Sequence, residues 1–206
     1  MIDELVVGFD LDMTLIDSRP GIAAAMDALS AETGVYIDSA AVVGRLGPPL
    51  NEELVRWFPA DEVPAIGDRY RALYPEHAIE TTPALGGAKE AIAAVHEHGG
   101  RVIVITAKHG PNAQLHLDHL GLDADVVIGS RWAEQKGETL REYGASIYVG
   151  DHLGDIAGAR AAGAVAVGVA TGPISVDELR KAGADVVLDD LHGFPAWLAG
   201  HTGHDR

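Results

Sequence analysis

The stretch Val6–Ser18, VVGFDLDMTLIDS, joins a strand-like apolar run to a pair of acidic residues. A short apolar run is followed by two carboxylates, Asp10 and Asp12, which stand one residue apart. Residues two apart in an extended chain share a face, so these carboxylates would point the same way. Like charges so close together repel each other and cost stability unless another group compensates for them. The stretch therefore predicts a buried strand that ends at a charged site.

The composition limits the classes of protein to which the chain can belong. Its 206 residues, of which 47% are hydrophobic, can bury a substantial core. Fifteen Lys and Arg against 31 Asp and Glu give a net charge of -16, which argues against nucleic acid and membrane surfaces as partners. The chain has no cysteine, and no apolar run approaches the ~18 residues of a membrane span. We therefore expect a soluble, cytoplasmic protein without disulfides.

Six short apolar runs are the predicted strands. They are rich in β-branched residues and nearly continuous, which is typical of strands that are covered on both faces. Segments with helical spacing lie between most of them. Because strand and helix alternate, the sequence predicts an α/β fold with a doubly wound parallel sheet. The runs are Leu5–Phe9, Val102–Ile105, Val126–Ile128, Ile147–Val149, Val165–Val169 and Val186–Leu188.

The alternation is interrupted once, between about Ser18 and Thr82. This region has only amphipathic helical patterns and one Gly/Pro-rich stretch, GRLGPPL, at residues 44–50. It is too long for an ordinary loop, so it predicts a helical insertion after the first strand. We therefore divide the chain into a core of residues 1–17 and 83–206 and an inserted helical domain of residues 18–82.

Acidic residues follow two of the predicted strands, at the point where each strand ends. Because ligands bind at the C-terminal ends of parallel strands, these residues would converge. The first end carries Asp10 and Asp12, and a later end carries Asp151 and Asp155 in the stretch GDHLGD. Four carboxylates around one point are untenable without a cation. Since all-oxygen ligation favours a hard ion, the sequence predicts a Mg²⁺ site.

The motifs of the chain resemble those of the haloacid dehalogenase superfamily. FDLDMTLIDS is similar to the first signature, Asp-x-Asp-x-Thr, and three further signatures follow in the expected order. They are Thr106 in VIVITAK, Lys136 in EQKGETL, and the stretch VGDHLGDIAGARAAG. The resemblance covers residues from about 10 to about 190. It implies a Rossmann-like core in which the helical insertion forms a type-1 cap.

The resemblance implies that the first two carboxylates divide the chemistry. Asp10 would attack phosphorus and form an aspartyl-phosphate. Asp12 would protonate the leaving oxygen and then accept a proton from the hydrolytic water, and its backbone carbonyl would ligate the metal. Asp10, Asp12, Asp151 and Asp155 would together hold Mg²⁺, which would relieve the repulsion between the neighbouring carboxylates.

The other predicted site residues would bind the phosphoryl group or the rest of the substrate. The hydroxyls of Thr14 and Thr106 would donate hydrogen bonds to phosphoryl oxygens, and Lys136 would supply a positive charge. Arg45, in the Gly/Pro-rich stretch of the insertion, would pair with a carboxylate or second phosphate of the substrate. Two further residues after Thr106 are predicted substrate contacts: Ala107 and Lys108.

These assignments have structural alternatives. Thr106 and Asp155 could cap the helices that follow them, and Lys108 and Lys136 could be solvated side chains. The histidines, His116 among them, lack a carboxylate or thiol framework for zinc, so we expect solvated surface side chains.

Two residues depart from the pattern of the superfamily. Met13 stands where Gly is commonest, so the turn must tolerate a side chain near Asp10. His152 stands where Ser or Thr usually follows the metal-binding Asp151, so its imidazole could contact the metal shell. Neither change removes a reacting group.

The sequence thus predicts a Mg²⁺-dependent phosphatase that acts on a small phosphorylated metabolite, as a monomer or homodimer. TLIDSRPGI, VGRLGPPL and PALGGAKEAI are similar to segments of phosphoglycolate-phosphatase-like members, which implies a substrate such as 2-phosphoglycolate. A phosphomutase of the same superfamily would use the same residues, and a non-catalytic anion- or metal-binding protein could have the same fold. These alternatives stay open.

Overall fold

The structure is a computed structural model that describes residues 4–203. These residues form a sheet of six parallel strands in the order β3-β2-β1-β4-β5-β6. The six predicted strands are confirmed, and their bounds agree with the prediction to within about one residue. The strands are β1 (Val6–Phe9), β2 (Arg101–Ile105), β3 (Val126–Ile128), β4 (Ile147–Gly150), β5 (Val165–Val169) and β6 (Val186–Leu188).

Helices cover both faces of this sheet. Val7 and Phe9 of β1 face one apolar cluster, which includes Phe194, and Val6 faces another, which includes Leu140 and Ile156. The prediction of a doubly wound α/β sheet is therefore confirmed. The first four helices belong to the insertion. The helices of the core are α5 (Ala88–Glu97), α6 (Gly110–Leu120), α7 (Glu134–Glu142), α8 (Leu153–Ala162), α9 (Val176–Lys181), a 3₁₀ turn (Leu191–Gly193) and α10 (Phe194–Gly203).

Four helices form the insertion between β1 and α5. They are α1 (Arg19–Thr33), α2 (Ser39–Val43), α3 (Leu50–Leu54) and α4 (Val63–Ala78). Their apolar faces pack on one another around Leu29, Leu54 and Tyr74, in a cluster separate from the two that cover the sheet. The division of the chain at residues 18 and 82 stays a prediction. None of the helices in the described part of the chain is long and apolar enough to cross a membrane.

The turn after β1 fixes the direction in which the two neighbouring carboxylates leave the strand. The backbone carbonyl of Leu11 accepts hydrogen bonds from the N–H groups of Leu15, at 2.9 Å, and Ile16, at 3.1 Å. Met13 has a φ of 60°, in the left-handed region that costs a side-chain-bearing residue about 1–2 kcal/mol. Its backbone carbonyl accepts a 2.6 Å hydrogen bond from the Thr171 hydroxyl, which holds the turn in this conformation.

Gly87→Ala should destabilise the fold much more than Gly99→Ala. Both glycines have positive φ, so each alanine costs about 1–2 kcal/mol of unfolding free energy from backbone strain. A Cβ on Gly87 would also lie 2.2 Å from the backbone nitrogen of His192, whereas a Cβ on Gly99 would have no atom within 4 Å. We expect an additional loss of about 1–3 kcal/mol for Gly87→Ala in urea denaturation. Equal losses would contradict the close packing of α5 against the 3₁₀ turn.

Candidate active site

The polar residues at the ends of β1, β2 and β4 converge at one edge of the sheet. The backbone N–H of Asp10 continues the ladder to Val149, at 2.8 Å, and that of Thr106 continues it to Ile128, at 3.0 Å. A cavity of about 380 Å³ lies over this edge, with walls from the sheet loops and from the helical insertion. The topology therefore places the predicted site beneath the insertion.

Lys136 on α7 is buried at the centre of the site. Its Nζ donates to Asp10 Oδ1 at 2.7 Å and to Asp155 Oδ1 at 2.6 Å. Burial by itself would lower the pKa of Lys136, but the charges of Asp10 and Asp155 outweigh it and raise this pKa. The alternative of a solvated lysine is therefore wrong, because only 1% of the side chain is exposed.

Three buried carboxylates lie close together at this lysine, which contacts two of them. One oxygen from each of Asp10, Asp151 and Asp155 lies within 4.8 Å of the others. Burial raises the pKa of Asp10 to about 7, although Lys136 acts to lower it. Burial also raises the pKa of Asp151 well above its usual value, and the charges of Asp10 and Asp155 raise it further. One lysine cannot neutralise three carboxylates, so the site is compatible with a divalent cation bound by oxygen atoms.

The side chain of Asp12 does not join this group. The structure thus brings together three carboxylates rather than the four that we predicted. Asp12 Oδ1 instead lies 3.0 Å from Lys108 Nζ, which pairs with it. Asp12 Oδ1 is buried and has no hydrogen-bond partner among the described residues, so this contact is an ion pair only. Lys108 is itself mostly buried, so it is not the solvated lysine of the structural alternative.

A chain of buried polar groups continues from Lys108 into the insertion. Lys108 Nζ donates to the hydroxyl of Tyr74 at 2.9 Å, and this hydroxyl lies 3.0 Å from His116 Nε2. Burial lowers the pKa of His116 to about 4, so the ring is neutral at pH 7 and can accept the proton of Tyr74. The prediction of a solvated His116 is wrong, because the apolar packing between α4 and α6 encloses it.

The two threonines of the signatures both form hydrogen bonds within the site. Thr14 is fully buried, and its hydroxyl donates to Asp151 Oδ1 at 3.0 Å. We predicted a hydroxyl that binds the phosphoryl group, but Thr14 does not line the cavity. Thr106 and Ala107 both line the cavity. The Thr106 hydroxyl also accepts the backbone N–H of Lys108 at 3.1 Å, which orients the turn after β2.

Asp155 and His152 together cap the N-terminus of α8. Asp155 Oδ2 accepts the backbone N–H of His152 at 3.0 Å, and His152 Nδ1 accepts that of Gly154 at 3.2 Å. Asp155 thus serves as a helix cap with one oxygen and contacts Lys136 with the other. Burial lowers the pKa of His152, whose ring lies against Trp132 with centroids 5.1 Å apart.

Arg45 reaches the wall of the cavity, but its guanidinium is already paired. Nη2 and Nε donate to the two carboxylate oxygens of Glu53 at 2.6 and 3.1 Å. Glu53 also accepts the indole N–H of Trp57 at 2.9 Å, which fixes its carboxylate. The predicted contact between Arg45 and an anionic substrate would have to compete with this bidentate pair.

Several residues of the site were not predicted. Tyr74 stands four residues after Tyr70 on α4, and no motif in the sequence singled it out. The loop after β5 supplies Thr171, which holds the carbonyl of Met13, and Gly172, which lies against Asp151. Neither belongs to a motif that we recognised, so the sequence carried no signal for them.

Asp10→Asn should change how stability depends on pH in the metal-free protein. Burial raises the pKa of Asp10 from 3.8 to about 7, so between these values the folded chain keeps a proton that the unfolded chain has released. The free energy of unfolding of the wild type should therefore fall, relative to Asp10→Asn, as pH rises through this window, and the difference should level off above about pH 7. Urea denaturation of both proteins in EDTA measures it. A constant difference would contradict the raised pKa.

The comparisons with known proteins agree with this geometry. The chain is 30% identical over 215 residues to a phosphoglycolate phosphatase of Rhodospirillum rubrum, covering 92% of this chain and 89% of that protein. It is 29% identical over 188 residues to a 5'-nucleotidase of Pseudomonas aeruginosa, covering 84% of this chain and 85% of that protein. The relatives are thus phosphoric monoester hydrolases, the enzyme class that the sequence predicts.

The fold and the family are confirmed in the same way. A haloacid dehalogenase-like hydrolase from Streptococcus pneumoniae superposes with a TM-score of 0.79 at 22% identity, over 98% of this chain and 100% of that one. The model of the haloacid dehalogenase-like hydrolase family matches residues 7–169. The resemblance drawn from the motifs is therefore confirmed, and the chain belongs to the haloacid dehalogenase-like hydrolases.

Proposed function

We propose that the protein is a Mg²⁺-dependent phosphatase that hydrolyses a small phosphomonoester through an aspartyl-phosphate on Asp10. The observation that carries this proposal is the buried contact of Lys136 with Asp10 at the floor of the cavity. A phosphate monoester dianion repels an attacking carboxylate unless fixed positive charge neutralises both. Lys136 supplies such a charge at Asp10, the residue directly after β1.

The three buried carboxylates fit a divalent cation. Their oxygens are the ligands that Mg²⁺ prefers, and their combined negative charge exceeds what Lys136 can neutralise. Asp10, Asp151 and Asp155 would hold the ion, together with the backbone carbonyl of Asp12. When bound, Mg²⁺ would neutralise phosphoryl oxygens and lower the pKa of Asp10, which the metal-free protein raises to about 7.

In the first step, an oxygen of Asp10 forms a bond to phosphorus while the bond between phosphorus and the leaving oxygen breaks. Asp12 transfers its proton to that leaving oxygen, so the product leaves as an alcohol. Lys108 contacts Oδ1 of Asp12 and holds this side chain on the cavity wall, which leaves Oδ2 to carry the proton that Asp12 transfers. The two neighbouring carboxylates thus take different partners, one lysine each.

In the second step, water attacks the aspartyl-phosphate and Asp12 accepts the proton of that water. The bond between Asp10 and phosphorus breaks, which releases inorganic phosphate and restores the free carboxylate. Thr14 acts through Asp151, whose orientation its hydroxyl fixes. Thr106 and Ala107 line the space that the phosphoryl group would occupy.

The substrate is a small phosphorylated metabolite in this proposal, and 2-phosphoglycolate is one compound to test. The relatives include a phosphoglycolate phosphatase and a 5'-nucleotidase, so their names point to different leaving groups on the same phosphoryl chemistry. A phosphomutase would return the phosphoryl group to a substrate hydroxyl, and a binding protein would release no phosphate. Release of inorganic phosphate distinguishes the phosphatase from both alternatives, and formation of a phosphorylated isomer of the substrate distinguishes the phosphomutase from the binding protein.

The wild type should release phosphate from at least one compound in a panel of phosphomonoesters with Mg²⁺, and EDTA should abolish this release. Asp10→Asn should abolish turnover under the same conditions, because an amide of the same shape is not a competent nucleophile. Asp27→Asn, an exposed position on α1, is the matched control and should keep wild-type rates. Substantial turnover by purified Asp10→Asn would exclude the aspartyl-phosphate route.

Asp12→Asn should slow turnover by roughly 10²–10⁴, the usual contribution of a general acid or base. The loss should be smaller for aryl phosphates than for alkyl phosphates, because phenolate ions leave without a proton more readily than alkoxides. Steady-state kinetics with phenyl phosphate and ethyl phosphate compare the two cases. If both substrates lost the same factor, Asp12 would not be the acid.

A further inference from the structure

We propose that the cavity selects phosphomonoesters whose leaving group is uncharged and largely apolar, over those that carry a second anionic group. This inference rests on the proposed function and names the substrate class for that same site. It follows from the charges, the apolar wall and the size of the cavity.

The arginines that line the cavity already have carboxylate partners. Arg45 Nη2 lies 2.6 Å from Glu53, and Arg56 Nε lies 3.5 Å from the same carboxylate. Arg71 Nη1 lies 2.8 Å from Asp68. Arg45 and Arg56 share the single carboxylate of Glu53, and a carboxylate or phosphate on the leaving group would compete with Glu53 or Asp68 for these arginines.

The lysines that line the cavity are also paired with carboxylates. Lys136 contacts Asp10 and Asp155, and Lys108 contacts Asp12. Every lysine and arginine that lines the cavity, among residues 4–203, therefore lies within 3.5 Å of a carboxylate. Glu52 adds a further negative charge to the wall. Glu52 and Glu53 together match the charges of Arg45 and Arg56, so a second anion on the substrate would find no excess positive charge on this wall.

The wall that the insertion contributes is mostly apolar. α1 supplies Ile22 and Met26, and the Gly/Pro-rich stretch and the start of α3 supply Leu46, Pro48 and Leu50. Burial of an apolar leaving group against such side chains gains about 25 cal/mol for each Å² removed from water. A carboxylate in the same place would lose its hydration without a compensating partner.

The size of the cavity agrees with this preference. Its volume of about 380 Å³ falls in the range of roughly 300–1,000 Å³ that buries ligands of drug size. A two-carbon acid attached to a phosphate would fill only part of it. A leaving group with a ring or a branched apolar body would contact the floor and the apolar wall together.

Two substrates with the same kind of leaving oxygen test the proposal. We would measure kcat/KM for 3-phenylpropyl phosphate and for 4-phosphonooxybutanoate with Mg²⁺. Both release a primary alcohol of similar acidity, so their ratio reports the tail and not the chemistry. The wild type should prefer the phenylpropyl compound by about tenfold or more. A ratio near or below one would overturn the inference.

A pair of variants tests whether paired arginines cause the preference. Glu53→Gln keeps the shape of the side chain but leaves Arg45 without its carboxylate, so the preference for the phenylpropyl compound should shrink by roughly 3–10-fold. Glu32→Gln breaks the Glu32–Arg69 pair, which lies in the same insertion away from the cavity, and should leave the ratio unchanged. An unchanged ratio in Glu53→Gln would also overturn the inference.

The outcomes separate this inference from the proposed function. If the wild type hydrolyses p-nitrophenyl phosphate and prefers the carboxylate substrate, the phosphatase proposal stands and the inference fails. If the wild type releases phosphate from no phosphomonoester, the proposed function fails and the inference fails with it. The substrate ratio of the wild type needs no variant, so a poorly folding Glu53→Gln protein would not protect the inference.

Discussion

The buried contact of Lys136 with Asp10 and Asp155 is the interaction on which the rest of the site depends. Three carboxylates within 4.8 Å of one another repel strongly in a buried place, and this lysine is the cation that the chain sets between them. Burial of the charged form of Asp10 costs stability, as the raised pKa of this group shows. The same charges are held rigidly in place, so they can act on a phosphoryl group without rearrangement.

The insertion and the sheet meet through polar contacts as well as apolar packing. Tyr74 of the insertion lies between Lys108, which follows β2, and His116 of α6. The pKa of His116 is lowered to about 4, so its ring stays neutral. Lys108 is then the one cation among these three hydrogen-bonded groups, and it faces Asp12. The orientation of Asp12 therefore depends on a tyrosine that the insertion supplies, so the position of the insertion and the geometry of the acid are linked.

Much of the fold could be predicted because its signals are local. The strands were readable as continuous β-branched runs, and Asp10 and Lys136 stood in recognisable motifs at the ends of predicted elements. The partners of the polar side chains were not readable, since they come from distant parts of the sequence. Thr14 is 137 residues from Asp151, and the pairing of Lys108 with Tyr74 requires the insertion to fold back on the sheet. Sequence spacing predicts which edge a residue occupies, and only packing decides which hydrogen bond it makes.

The loop after β5 illustrates how a site extends beyond its motifs. A Cβ on Gly172 would lie 1.8 Å from Asp151 Oδ2, so a residue with a side chain there would push this carboxylate out of the acidic group. One residue earlier, the Thr171 hydroxyl holds the carbonyl of Met13 and thereby the strained turn that separates Asp10 from Thr14. Gly172 thus leaves room for the carboxylate of Asp151, and Thr171 holds the turn that follows Asp10. The charge cluster at the end of β1 is maintained by a segment that carries no charge of its own.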